Sequence, residues 1–175
     1  MKRVVFAGFL AVGLVVPSGA TAQDTDINRY TLEDLGGVFV RIEVGDACQG
    51  SGITSAAYEA NVSLQLIEAE VGVLTRSEML THPAMPELRI SLDCAGGANG
   101  SAGAMAYSVG LRVQQAAQML RDTQITLPEA VTWYALKVGV TSPGEAAEDV
   151  GATLTEQVAL FAAAWASAHE GGEGR

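Results

Sequence analysis

The sequence predicts an α/β fold of the α+β kind: a two-layer sandwich with a mixed, mostly antiparallel sheet of four or five strands and two helices on one face. Three observations predict it. Apolar and polar residues alternate over 38–44, 87–93 and 105–113, the period-2 signature of strands with one buried face. Two segments, 54–69 and 144–169, repeat apolar residues at threes and fours, as helices with a single apolar stripe do. The last three strands are joined by turn-like segments, which favours an antiparallel meander. The resulting order is β-α-(β)-β-β-β-α.

The first 22 residues set the expected compartment. Lys2 and Arg3 form a basic start, Val4 to Val16 carries no charge, and Ala20 and Ala22 stand in the A-x-A spacing of a secretory signal peptide. The apolar run is shorter than the roughly 20 residues that span a bilayer as a helix. Cleavage after Ala22 is expected, giving a periplasmic or secreted protein. Gln23 follows the cut, where a lipid anchor needs Cys. Neither a membrane span nor a lipid anchor is therefore expected. Residues 23–34 read as a lead-in segment, 35–169 as one α/β domain, and 170–175 as a flexible Gly/Glu tail.

Cleavage removes Lys2 and Arg3 but no acid, so the formal net charge moves from −10 to −12. Nucleic acid and anionic lipid call for a basic patch, so neither is an expected partner. Two cysteines, Cys48 and Cys94, are an even pair in an exported chain, which predicts one disulfide. Their separation is far from the Cys-x-x-Cys of redox catalysts, so the bridge reads as structural.

Each element has its own signal. Tyr30 to Leu35 reads as a helical turn. In the first strand Val38, Val40, Ile42 and Val44 share one face. Gly45 to Gly52 reads as a loop. Thr54 or Ser55 is a suitable N-cap for a helix to Ala69, with Tyr58, Val62 and Leu66 on its stripe. Val71 to Leu74 reads as a short edge strand, and Thr75 to Pro86 as connection. Leu88, Ile90 and Leu92 turn inward on the next strand. Asn99 and Gly100 mark a turn. A long strand from Met105 follows, with Leu120 as its outer limit by pattern, then a turn region over 121–129 around Pro128. The last strand covers 130–140; both of its faces carry aromatics, so which face is inward stays open. Ala147, Val150, Leu154, Val158, Phe161, Trp165 and Ala168 form one stripe on the closing helix.

Placing the first strand beside 87–93, with a helix between them in sequence, makes the two parallel. Parallel neighbours end at the same rim, where Cys48 and Cys94 both lie.

The chain carries no pattern for catalysis, metal or cofactor. Asp24, Asp26 and Asn28 begin like a calcium loop, but Arg29 stands where Gly is needed and Leu35 where a bidentate Glu is needed. His82 and His169 are isolated in sequence, and zinc needs more. The glycines near Asn99 lead into a strand without Lys, unlike a phosphate loop. Trp133, Phe161 and Trp165 read as core. The remaining candidate is the uncovered sheet face, where Ser108, Arg112, Gln114 and Lys137 are expected together and where an extended partner can dock.

The order from Leu35 to Ala168 resembles small bacterial envelope accessory domains, namely the lipopolysaccharide-assembly lipoprotein class and the amino-terminal domain of TolB. The resemblance rests on the strand at 38–44, the 54–74 segment ending in Val71 and Val73, the strands at 87–93 and 105–113, Trp133 and the closing helix. It implies a non-catalytic binding or assembly module whose partner is another envelope or secreted protein. The lipoprotein members carry an acylated Cys that this chain lacks. Two other classes fit an exported chain of this composition: a small hydrolase using a carboxylate pair, marked by an acid of raised pKa, and a small-ligand carrier with an apolar cavity under its Trp-bearing helix.

Overall fold

A computed structural model describes residues 24–96 and 103–170. The expected signal peptide, the Asn99–Gly100 turn and the tail from Gly171 lie outside them.

Strands β1 (Phe39–Val44), β2 (Glu87–Gly96), β3 (Met105–Met119) and β4 (Asp122–Thr141) form one sheet in that order. β1 and β2 are parallel, and β2–β3 and β3–β4 are antiparallel. Helices α3 (Ser55–Glu68) and α5 (Ala146–Glu170) pack on one face, giving the predicted two-layer α/β sandwich. Short helices α1 (Asp26–Tyr30), α2 (Asp46–Gln49) and α4 (Arg76–Thr81) complete the described elements. Among the described residues no helix is long and apolar enough to cross a membrane.

The alternation read from sequence fills the core. Leu88, Ile90 and Leu92 of β2, and Val109, Leu111 and Val113 of β3, are buried under Val150, Leu154, Val158 and Phe161 of α5. The short segment at Val71–Leu74 joins Val38 through a single parallel bridge at Val73 rather than a full strand. There the backbones touch, and a Cβ on Gly72 would collide with the Gly36 carbonyl.

The cysteines are bridged as predicted, with Cα atoms 5.0 Å apart. Two details of that rim differ from the sequence reading. The loop over 45–52 contains the single turn α2, which buries Cys48. Cys94 lies within β2, because β2 pairs with β3 as far as Gly96. The Gly45 N–H donates to the Leu92 carbonyl, so both strand ends do meet at this rim.

Two segments read as connection are ordered elements. Residues 76–81 form α4, started by a capping box in which Thr75 and Glu78 satisfy each other's backbone N–H groups. Residues 122–129 belong to β4, which turns back tightly after Met119. Pro128 is tolerated because the register slips there: Ala117 pairs with Leu127 while Gln115 pairs with Ala130. The intervening Ala116 N–H donates instead to the Ala84 carbonyl at 2.7 Å.

The lead-in segment is built into the fold. Asp24 accepts hydrogen bonds from Arg29 at 2.6 and 2.7 Å and from the Trp133 indole at 3.1 Å. Asn28 donates to the Thr132 carbonyl, and Gln115 donates to the Thr31 carbonyl. The Arg29 hydrogen bonds hold the Asp24 carboxyl below its ordinary value of 3.8, against the opposing effect of burial. A depressed carboxyl stabilises the fold above its unfolded pKa, and that contribution disappears as pH falls through the folded value. Asp24→Asn should lower the unfolding free energy by about 2 kcal/mol at neutral pH. It should also flatten the loss of stability below about pH 4; urea titrations across pH read both effects. Replacing Cys48 and Cys94 together by Ala should cost about 4 kcal/mol of stability in the same assay, from the loop the bridge closes.

Candidate functional site

The face of the sheet turned away from α3 and α5 is open over most of its area. Trp133 and Ala135 of β4 are buried under the helices, so Tyr134, Leu136, Val138 and Val140 turn to the open face. Leu136, Val138 and Val140 are 49%, 67% and 72% exposed, a bare apolar column on an edge strand. Edge strands are normally blunted by charge, proline or a covering segment. α1 covers the middle of β4 at Thr132, through Asn28. From Tyr134 to Val140 the described residues form no backbone hydrogen bond on the outer side.

Beside this column runs a row of cations. Arg41, Arg89 and Arg112 are direct register partners across β1, β2 and β3, and Tyr134 continues the row on β4. Strand neighbours stand roughly 5 Å apart, and like charges placed so destabilise a sheet. Two of the three are neutralised. Arg41 pairs with Glu43 at 3.1 Å, and Arg89 pairs with Glu87 at 2.8 Å and approaches Glu43 at 3.9 Å. Burial opposes the Arg89 charge; the Glu87 hydrogen bond and the fields of Glu87, Glu43 and Glu129 outweigh it and raise its pKa. The Arg112 guanidinium has neither an ion pair nor a hydrogen bond among the described residues. A three-cation row in a chain of net charge −10 is a local departure from the global balance.

Between the row and the column lies a depression of about 280 Å³, bordered by Ser91, Arg112, Val131, Tyr134 and Leu136. Gly110 forms part of it because it has no side chain; a Cβ there would stand 2.9 Å from the Ser91 hydroxyl.

The four residues expected on this face divide. Ser108 pairs with Val138 on the open face, and Arg112 pairs with Tyr134. Gln114 is on the same face but buried, beneath the segment that contains α4. Lys137 is a correction: it pairs with Val109, shares the parity of Trp133, and reaches over the rim to Glu156 of α5. Its long apolar stem lets it leave the covered face while its charge stays in water. The row Arg41–Arg89–Arg112 was not anticipated. It depends on the registers of three strands, and no spacing along the chain encodes it.

The other side chains weighed from sequence have local partners. His82 Nδ1 accepts from the Ala84 N–H, and His169 stacks on Trp165 with ring centroids 4.5 Å apart. Trp133, Phe161 and Trp165 pack against one another at 5.2 and 6.0 Å. Among the described residues no group of three or more His, Cys, Asp or Glu is gathered to hold a metal. Comparison with family models, curated proteins and solved structures returned no match.

If Arg112 serves an external partner, removing it should barely affect the fold. Arg112→Ala should change the unfolding free energy by under about 0.5 kcal/mol. Arg89→Ala should cost about 1–2 kcal/mol, because it strands Glu87. Parallel urea titrations of the two variants measure the contrast.

Proposed function

We propose that the protein is an exported, non-catalytic binding module that captures another envelope or secreted protein on the open face and free edge of its sheet. The observation that carries this reading is Arg112: a cation without a counter-ion among the described residues, next to a bare apolar column, in a strongly acidic chain. Apolar contact supplies area for association, and an unneutralised guanidinium selects a partner with negative charge. The stretch from Tyr134 to Val140 offers backbone groups to an added strand. The basic, apolar and A-x-A parts of residues 1–22 support export, as does a disulfide between the only two cysteines. The strand and helix order also supports kinship of form with small bacterial envelope accessory domains.

The two competing readings find less support. A carboxylate-pair hydrolase needs an acid that holds its proton at neutral pH. The displaced carboxyls, Asp24 and Glu78, are both lowered, by hydrogen bonds from Arg29 and from the Thr75 backbone respectively. A carrier needs an apolar cavity beneath α5, where Trp133 and Phe161 instead fill the space.

A photo-crosslinking residue at Val138 should give a discrete protein adduct in the native envelope fraction. The same residue at the exposed Glu59 on α3 should give none above background. Arg112→Glu should reduce the Val138 adduct by about tenfold or more. Equal adducts from both positions, or an adduct indifferent to Arg112→Glu, would contradict the proposal.

A further inference from the structure

Gln114 and Gln115 are adjacent on β3, point to opposite faces and meet different fates. Gln115 donates to the Thr31 carbonyl at 2.9 Å and to the Thr132 hydroxyl at 2.7 Å. Gln114 is 8% exposed, and its Oε1 is buried without a hydrogen-bond partner. Burying an amide acceptor unpaired opposes folding, so such a group needs a physical explanation, and a donor brought by a bound partner is one.

Gln114 lines a depression of about 170 Å³ between the sheet and α4. Phe39, Met79, Leu80, Met85 and Pro128 supply its apolar walls, and Arg41, Arg76, Glu87 and Glu129 line it with charge of both signs. Sites for whole small molecules usually measure roughly 300 Å³ or more. This one suits a single large side chain, the way an interface anchor fills its pocket. Two methionines let the walls adjust to the side chain that enters. Charge then fixes what accompanies the anchor. Arg112 lies two residues from Gln114 on the same face of β3, roughly 6.5–7 Å along the strand. That distance is also the repeat between same-side residues of any extended chain.

We propose that this depression is an anchor pocket for an extended polypeptide carrying a large apolar residue and an acid two positions apart. The apolar side chain enters between Phe39, Met79 and Met85. Its backbone N–H donates to Gln114 Oε1, and the acid pairs with Arg112. The inference rests on the open face being the binding surface and specifies what that surface reads.

The test uses the disulfide-bonded protein with methyl-labelled methionine, titrated with three capped tripeptides: Leu-Gly-Glu, Leu-Gly-Lys and Gly-Gly-Glu. Leu-Gly-Glu should shift the Met79 and Met85 methyl resonances saturably, while Met105, buried on the helix-covered side, stays still. The Lys and Gly versions should bind about tenfold more weakly. Arg112→Gln should abolish the preference for Glu over Lys but leave the methyl shifts. Gln114→Leu should raise the thermal midpoint and weaken Leu-Gly-Glu binding. The proposal is overturned if the methyls do not move, if all three peptides bind alike, or if Gln114→Leu leaves affinity unchanged, as it would if water alone occupied the pocket. If any of these occurs while the Val138 adduct still depends on Arg112, the pocket fails and the binding face stands.

Discussion

Burial of Trp133 against Phe161, with its indole hydrogen-bonded to Asp24, fixes which way β4 turns its side chains. A strand alternates without exception between register shifts, so one buried indole commits every second residue from 133 to 141. With Trp133 inward, Ala135 and Thr141 are buried, and Tyr134, Leu136, Val138 and Val140 have only the open face left to them. The opposite parity would bury the apolar column and leave a hydrophobic indole in water. The Asp24–Arg29 pair strengthens the choice by holding the indole from a second side. The exposed column is thus a consequence of how the core is packed, and it is the surface that the proposed partner would cover.

The electrostatics of the open face follow from the same registers. Parallel β1–β2 pairing puts Arg41 beside Arg89, and antiparallel β2–β3 pairing puts Arg112 beside both. Glu43 and Glu87 lie one pleat away on the same face and neutralise the first two. On β4 the acid Glu129 acts on Arg89, whereas the register neighbours of Arg112 and Gly110 are Tyr134 and Leu136. Charge compensation runs out where the apolar column begins. That boundary between a spare cation and bare aliphatic surface gives the face its chemical character. The α4 segment shelters one end of it and creates the recess around Gln114.

Most of the scaffold was legible because it rests on periodicity. The stripe of α5, the inward Leu88, Ile90 and Leu92, and the rim meeting of Cys48 with Cys94 all follow from period and order alone. α4 was missed although its capping-box letters, Thr75 and Glu78, are in plain view; the flanking Pro83 and Pro86 weighed more heavily. Residues 122–129 of β4 were missed for a similar reason, since a bulge that accommodates Pro128 leaves no trace in a single sequence. The parity of β4 was undecidable with Trp133 and Tyr134 side by side, and Lys137 was misplaced as a result. The arginine row is a tertiary property: residues 41, 89 and 112 become neighbours only once two registers are set.

The claim at the centre is that the open face, and not the helical layer, receives the partner. Hydrogen exchange of the protein alone and cross-linked in its native envelope fraction tests it most directly. Protection on complex formation is predicted at the amides of Tyr134 to Val140 and at Gly110, with α3 unchanged. Protection confined to the outer surfaces of α3 and α5, with β4 exchanging as in the free protein, would contradict the account.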